Sequence, residues 1–375
     1  MTKEKTSALY SRYIIDGVKM DVTPGQALEA VSEQPCTQPP ILSEGPVIVD
    51  ESVGAGLTPL SFDPARTEDY LSLVLNTPRS IRMPFSETCT KALVAKTLID
   101  ALWREGSFKL GDLALKICWK WDEKPVGNMA AFYFSALAAA DYIDSLGLKI
   151  AGYSYSKASK SGITVEAALR MKQDEDEFLE IPYSSPSPVL KKRRSPGATL
   201  VPDPQSWIVY IPFETAEYRF GGSILSQALG LGGVSLNIGD ADYFIDCYEV
   251  LRELVEDGIL LSAQTVGDGG LLAAVKRMCS PQAGAAIDVS DVSASASEND
   301  MMRILFAEVP GVVVQIRDID FDYLDAELLL QDVAFFPLGH PVPGNDGVRV
   351  RAGAKSGIQK ILESLIQNQC GEGED

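Results

Sequence analysis

Histidine and cysteine are scarce in this sequence of 375 residues, which holds one histidine and six cysteines. No two cysteines form a CxxC pair. Zinc sites and disulfide frameworks need such ligands at short, repeated spacings, so neither is predicted. We interpret the cysteines as reduced, mostly structural thiols. The sole histidine, His340, lies far along the chain from the glycine-rich turns described below, and we expect a structural or surface role for it.

Basic residues are also few, with 33 Lys and Arg against 52 Asp and Glu, for a formal charge of -19. A field of this sign repels polyphosphate backbones and anionic lipid surfaces, so neither nucleic acid nor membrane is an expected partner. No apolar run approaches the length of a bilayer-spanning helix, and the first residues lack the apolar core of a secretory signal. We therefore expect a cytoplasmic protein.

The composition is that of a folded protein, with 46% hydrophobic and 23% charged residues. A chain of this length usually forms two domains. Strand and helix patterns alternate along it, which predicts an α/β (α+β) fold with mixed sheets covered by helices. The predicted segments are an N-terminal arm (1–45), an N-terminal domain (46–183), a linker (184–205), a C-terminal domain (206–353), and a C-terminal helix and tail (354–375).

Several elements are predicted from apolar spacing. In the first domain, helices are expected at 87–103 and 128–147, and strands at 113–121, 148–153 and from 162 onward. Residues 172–205 hold an acidic cluster, many prolines and the basic run 191–194. A solvated loop is the preferred interpretation of this stretch, and an anion-binding or targeting patch is the alternative.

Two glycine-rich turns, at 219–223 and 267–271, each lead directly into a predicted helix. Glycine lets backbone amides approach an anion closely, and a helix start adds its dipole. Both turns are therefore candidates for holding phosphate. The alternative is that each is only a tight corner between a strand and a helix.

The order of these segments carries a family resemblance. RFGGSILSQALG, GDGGLLAAVKRMC, ILFAEVPGVVVQI and AFFPLGHPVPGNDGVRVR follow one another at similar spacing. This series resembles the C-terminal domain of the aminoimidazole ribonucleotide (AIR) synthetase superfamily, and most closely the second half of phosphoribosylformylglycinamidine synthase. Phe306 and Glu308 match the family's phenylalanine and glutamate before a valine-rich strand.

The resemblance implies a two-domain AIR synthetase-like fold and a site for ATP or ADP with magnesium. It also implies a homodimer, or a partner that carries the complementary synthase half. The nucleotide-binding residues that it implies are Arg219, Gly221, Gly222, Ser223, Gln227, Gly267, Asp268, Gly269 and Gly270.

The departures from the family pattern concern the metal. Alignment places Asp100 and Arg104 where the family has two magnesium ligands, and Thr265 where it has a third. Asp100 is the one candidate metal ligand that remains. Magnesium needs hard oxygen ligands, so these changes should weaken the site. The alternative to a bound cation is that Arg104 contacts phosphate directly.

Two functions from different classes follow. The first is ATP-dependent carbon–nitrogen ligation in purine biosynthesis: phosphate passes from ATP to an amide oxygen, and ammonia displaces it. No segment resembles the family's catalytic histidine motif or its glutaminase, so this chain would act as a half-unit. The second is a catalytically degenerate homologue that binds nucleotide or serves only as a structural module. Acidic groups such as Asp240 with Asp242, and Asp318 with Asp320 and Asp322, are expected to cap helices rather than to bind metal.

Overall fold

The computed structural model describes residues 8–33, 43–44, 61–104, 106–169, 195–215 and 217–351. Several predicted segments lie outside these residues: the start of the N-terminal domain as far as residue 60, the acidic cluster, the basic run 191–194, and the C-terminal helix and tail. None of the described helices is long and apolar enough to cross a membrane.

Helices and strands alternate through most of the described chain. The helices are α1 Pro24–Ala30, α2 Thr67–Asn76, α3 Ser86–Arg104, α4 Asn128–Ser145, α5 Ile224–Ala228, α6 Ala241–Asp257, α7 Gly270–Met278, α8 Ser290–Ala296, α9 Met301–Phe306 and α10 Phe321–Leu330. The strands are β1 Ser11–Arg12, β2 Ile14–Ile15, β3 Val18–Lys19, β4 Ser43–Glu44, β5 Leu113–Trp121, β6 Lys149–Lys157, β7 Gly162–Leu169, β8 Trp207–Pro212, β9 Leu260–Val266, β10 Ala283–Asp288, β11 Gly311–Ile316, β12 Phe336–Pro343 and β13 Val348–Arg351.

A six-stranded sheet forms the centre of the second half of the chain, in the order β13-β10-β12-β8-β11-β9. It is mixed, because β13 pairs parallel to β10 while the other neighbours pair antiparallel. Every residue of β11 is buried, as its run of valines predicts for a central strand covered on both faces. The mixed α/β class predicted from the sequence is confirmed.

A smaller sheet, in the order β6-β5-β7, lies in the first half. Its central strand alternates as the sequence predicts, and Trp119 and Trp121 are fully buried. Each indole finds a hydrogen-bond acceptor: Trp119 donates to the hydroxyl of Ser135 at 2.9 Å, and Trp121 to the carbonyl of Asn128 at 2.7 Å. Burying two large rings without leaving an unpaired N–H fixes α4 on this sheet.

Helix α3 lies between the two sheets, since it contacts α4 and β7 on one side and β9, β11 and α6 on the other. Its apolar positions cover a broad face, which the sequence predicts and which includes Val94, Leu98 and Leu102 at 0% exposure. One continuous hydrophobic core therefore joins both halves of the described chain.

The described part of the N-terminal segment packs against the rest of the chain, whereas the sequence analysis predicted an arm. Helix α1 contacts α4, and Leu9, Tyr13, Leu28 and Val31 are buried in the common core. Thr23 and Gln26 form a capping box at the start of α1. The sequence analysis did not predict this packing, because the segment's apolar residues follow no single helical or strand period.

Candidate functional site

The two glycine-rich turns lie at the starts of two helices. After Gly221 and Gly222, the hydroxyl of Ser223 caps α5 by accepting from the amide of Ser226. After β9, the segment from Gly267 to Gly269 leads into α7. Both turns thus present backbone amides at a helix start, which is the geometry that favours a negative charge.

One carboxylate, that of Glu308, joins the two turns. Its Oε1 accepts from the amide of Ile224 at 2.9 Å and from the amide of Gly269 at 2.8 Å. Glu308 is 6% exposed and has a φ of +62°, a conformation that non-glycine residues rarely adopt. The turns predicted to hold an anion are therefore close together, and the anion that these two amides bind is part of the chain.

Arg79 neutralises this buried carboxylate. Its Nη2 lies 2.5 Å from Glu308 Oε2, and its Nε donates to Asp268 Oδ1 at 2.8 Å. Burial alone would lower the pKa of Arg79, but Glu308 and Asp268 together hold that pKa above its usual value. Charge-assisted hydrogen bonds of this kind are short and strong, so Arg79 ties the loop before α3 to both turns.

A second link joins the same loop to the first turn. The side chain of Gln227 accepts from the amide of Ser80 at 2.9 Å and donates to the carbonyl of Gly222 at 2.9 Å. The predicted ligand residue Gln227 thus uses both ends of its amide within the chain. The nucleotide-binding role assigned to it stays a prediction.

The glycines are required by close contacts as well as by backbone angle. A Cβ on Gly270, whose φ is +74°, would lie 2.6 Å from the carbonyl oxygen of Leu305. A Cβ on Gly222 would lie 2.9 Å from the Phe85 side chain, and one on Gly221 would lie 2.6 Å from the carbonyl oxygen of Gly233. The turns therefore pack against backbone and ring atoms, as tight corners do.

Asp268 is the more accessible acid of the cluster, with 40% of its side chain exposed. Burial would raise the pKa of Asp268, but Arg79, Lys96 and Arg277 outweigh it, and the pKa lies below its ordinary value. Arg277 also donates to the backbone carbonyl of Asp268 at 2.6 Å. The second turn is therefore surrounded by cations that belong to the chain.

The lowered pKa of Asp268 predicts that this residue's contribution to the free energy of unfolding depends on pH. Folded Asp268 binds fewer protons than unfolded Asp268, so its contribution is present near neutral pH and is lost as pH falls through the folded pKa. In urea unfolding, the difference in free energy between the wild type and Asp268→Asn should be largest near neutral pH, at most about 1 kcal/mol because the group is partly solvated, and should shrink as the pH is lowered through the folded pKa of Asp268. The exposed Asp141→Asn serves as the control. A gap that widens toward pH 3 contradicts the assignment.

The positions assigned to magnesium are engaged in other contacts. Asp100 pairs with Lys96, whose Nζ lies 3.3 Å from its carboxylate. The hydroxyl of Thr265 accepts from the indole N–H of Trp103 at 2.9 Å, and Arg104 is exposed. Nowhere in the described residues do three His, Cys, Asp or Glu side chains cluster as a metal site requires. This donor set does not fit magnesium, which needs several hard oxygen ligands.

Arg219 lies on the surface, where it pairs with Glu217. Its neighbour Tyr218 is buried, and burial raises its pKa to about 12. His340 hydrogen-bonds to the carbonyl of Ser206 at 2.9 Å and lies 4.2 Å from the Trp207 ring, centroid to centroid. These contacts agree with the structural role predicted for His340.

The acidic pairs behave partly as predicted. Asp240 caps α6 by accepting from the amide of Tyr243, which confirms the expected capping role. Asp318 instead accepts from the indole of Trp207 at 2.7 Å, and Asp320 pairs with Arg317 without capping α10 through its side chain. The roles of Asp318 and Asp320 are set by their side-chain partners, which cannot be predicted from the spacing of acidic residues.

A cavity of about 230 Å³ opens beside the start of α3. Its lining includes Glu87, Thr88, Lys91 and Asn237, with Thr88 and Lys91 already bound to backbone carbonyls of 236 and 238. Pockets for drug-sized ligands usually measure roughly 300–1,000 Å³. This cavity is therefore small for a nucleoside triphosphate.

Comparison with known proteins adds a family likeness. Residues 215–319 match the family model for the C-terminal domain of AIR synthase related proteins. The chain is similar to phosphoribosylformylglycinamidine synthase of Homo sapiens, with 23% identity over 253 residues. That match covers 66% of this chain and 18% of the human protein, so the chain spans less than a fifth of that relative's length.

One solved structure supports the fold assignment. The match to a T. maritima PurL structure complexed with FGAR spans 74% of this chain and 43% of the PurL chain, with a TM-score of 0.50 and 14% sequence identity. The match to another T. maritima PurL structure, complexed with AMPPCP, spans 78% of this chain and 49% of the PurL chain, with a TM-score of 0.48 and 12% sequence identity. The segment that carries both glycine turns and Glu308 is thus similar to AIR synthase related proteins, and the described chain has a PurL-like fold.

Proposed function

We propose that this chain is a catalytically degenerate AIR synthase-like half-unit, which serves as a structural module in an assembly of AIR synthase-like units. The observation that carries the proposal is that the side chains at the positions assigned to magnesium, Asp100 and Thr265, already have partners within the chain. The Lys96–Asp100 ion pair and the Trp103–Thr265 hydrogen bond use the groups that would otherwise face a cation. A triphosphate at neutral pH needs such a cation to offset its charge.

The hydrogen bonds that the turn amides make within the chain also favour a degenerate site. Ile224 and Gly269 already donate to Glu308, and Arg79 already has two carboxylate partners. An incoming phosphate would have to displace a buried, neutralised carboxylate rather than enter a prepared site. Binding that must first break charge-assisted hydrogen bonds is weak unless it replaces all of them.

Calorimetric titration tests the proposal. We expect no heat of binding for ATP or ADP with magnesium at millimolar nucleotide, and no change in the thermal midpoint of unfolding at the same concentrations. The variant Asp268→Ala should likewise show no heat of binding and no nucleotide-dependent shift of its own thermal midpoint. Magnesium-dependent binding by the wild type that Asp268→Ala abolishes would exclude the degenerate assignment.

The second candidate function is ATP-dependent carbon–nitrogen ligation by an assembly that contains this chain. It is favoured by the similarity to human phosphoribosylformylglycinamidine synthase over 253 residues. In this proposal, phosphate transferred to an amide oxygen creates the leaving group that ammonia displaces, and positioning and charge stabilisation supply most of the catalysis.

Both candidates call for a second unit, either another copy of this chain or a complementary synthase half. Light scattering on the purified chain, alone and after mixing with a candidate half, measures this directly. We expect a mass of about twice the 40.5 kDa of one chain, or a stable mixed complex. A single-chain mass at all concentrations, with no mixed complex, contradicts this part of the proposal.

A further inference from the structure

Helix α10 carries an apolar surface on its solvent side. The side that packs on the core holds Leu324 and Leu328, both of which are buried. On the opposite side Leu330 is 76% exposed, and Ile319, in the turn before the helix, is 81% exposed. Large apolar side chains exposed singly are ordinary, but a group of them on one face marks an interaction site. The α10 outer face consists of Ile319, Tyr323, Ala326, Leu329 and Leu330.

Carboxylates border the α10 outer face on both sides. Successive residues of a helix are about 100° apart, which places Asp325 on one border of the face, Glu327 on the other, and Asp322 between them. The sequence of α10 contains no lysine or arginine, and these three carboxylates form no ion pair within the described residues. Arg317, which precedes the helix, pairs with Asp320. The described part of the chain therefore leaves the negative charge beside this face without a counter-charge.

Helix α6 adds further negative charge beside Tyr323. The Tyr323 hydroxyl donates to Asp257 Oδ2 at 2.8 Å, so the last residue of α6 lies at the edge of the α10 outer face. That hydrogen bond, with the nearby charges of Glu327 and Glu253, raises the pKa of Tyr323 to about 12. Arg252 pairs with three glutamates of α6 and cannot offset them all. The α10 outer face thus lies in a region of negative potential.

This charge opposes several kinds of occupant. A second copy docked through the same face would place like carboxylates opposite one another, in a chain whose formal charge is already -19. Anionic lipid surfaces and nucleic acids are repelled for the same reason. A protein segment that carries lysine or arginine beside apolar side chains would instead bury the leucines and neutralise the carboxylates.

The shape of the face favours a helix as that segment. A helix of 10 residues is about 15 Å long, so α10 presents three turns of surface to a neighbour. A second helix can lie along it at an interaxial distance of about 8–10 Å, with its side chains between those of α10. An amphipathic helix in a groove or on a face is a common mode of peptide recognition.

We propose that the α10 outer face binds a basic amphipathic helix of another protein. The apolar side chains of that helix pack on Leu329 and Leu330, and its lysines or arginines contact the carboxylates of α10. The proposal is independent of the function proposed above, because it uses no residue of the glycine-rich turns and neither Glu308 nor its partners.

A synthetic peptide tests this chemistry on the full chain. The probe has about 14 residues, with leucine along one helical face and lysine elsewhere, and carries a fluorescent label for anisotropy. We expect a micromolar Kd that weakens at least tenfold between about 0.05 M and about 0.5 M salt, because salt screens exposed charges. A peptide of the same composition in scrambled order, and one with glutamate in place of lysine, should bind at least tenfold more weakly. Equal binding of the scrambled peptide would overturn the proposal.

Apolar variants locate the contact. Leu329→Ser with Leu330→Ser should weaken binding of the lysine peptide by tenfold or more, because both side chains lose apolar burial in the complex. Their exposure should let the fold tolerate the change, which circular dichroism checks. Val126→Ser, in the loop after β5, is the control and should leave the Kd within about twofold of the wild type. An unchanged Kd for the double variant would place the peptide elsewhere and overturn the proposal.

Charge variants test the acidic border separately. Asp322→Lys with Glu327→Lys should weaken binding at least tenfold and reduce its dependence on salt. The control Asp141→Lys, at an exposed position of α4, should have little effect. Equal losses for the border variant and this control would show only a general attraction to an acidic protein, which contradicts the proposal. A dimeric mass in light scattering that Leu329→Ser with Leu330→Ser abolishes would show that a second copy covers the face, and this too would overturn it.

Discussion

Replacing Arg79 with methionine should lower the free energy of unfolding by about 3–5 kcal/mol. The guanidinium is the cation that faces the buried Glu308 carboxylate, and its side chain is only 15% exposed. Removing it leaves a carboxylate buried without a counter-charge, which costs more than the pair itself contributes. Urea denaturation followed by tryptophan fluorescence measures the change.

Arg82→Met is the matched control, since Arg82 lies three residues away in the same loop and is exposed. We expect its effect to stay within about 0.5 kcal/mol. Arg79→Lys should fall between the two, because lysine keeps the charge but not the planar fork that reaches both Asp268 and Glu308. Equal effects for Arg79→Met and Arg82→Met would show that Glu308 does not depend on this ion pair.

The second large effect is expected for Gly270→Ala, which should destabilise the fold by roughly 2–5 kcal/mol. About 1–2 kcal/mol comes from placing an L-residue at positive φ, and a further 1–3 kcal/mol from forcing a Cβ against the carbonyl oxygen of Leu305. Thermal or urea unfolding of the variant gives the total.

Gly230→Ala separates these two terms. Gly230 has a φ of +67°, close to the +74° of Gly270, but a Cβ there has nothing within 4 Å. Its cost should therefore be the conformational part alone, about 1–2 kcal/mol. If both variants lose the same stability, the close approach of α7 to the residues before Glu308 contributes nothing measurable.

The sequence predicted elements well where one period dominates. Strand β5 occupies the predicted 113–121, and α3 covers its predicted range with one added residue at either end. Strand β6 runs past its predicted end at residue 153 because it stays paired with β5 as far as Lys157. Pairing with a neighbour, which local spacing does not reveal, set this boundary.

The candidate site was predictable only in part. The glycine turns stand out because each precedes a helix, and Glu308 stands out through its family resemblance. Arg79 gave no signal, since a single arginine after a proline in a loop has no spacing or motif that points to a carboxylate 229 residues away. Lys96 was missed for a similar reason, because an (i, i+4) pair with Asp100 looks like any solvated helix surface.

The family match begins at residue 215, but the cation that neutralises Glu308 comes from residue 79. A fragment cut at the family boundary would therefore carry a buried acid without its counter-ion. The ion pair also closes a loop of more than two hundred residues, so it is a contact of very long sequence separation, and such contacts tend to form late in folding. We therefore expect the two halves of the chain to unfold in a single cooperative transition, because the AIR synthase-like segment shares its core and its buried ion pair with the N-terminal half.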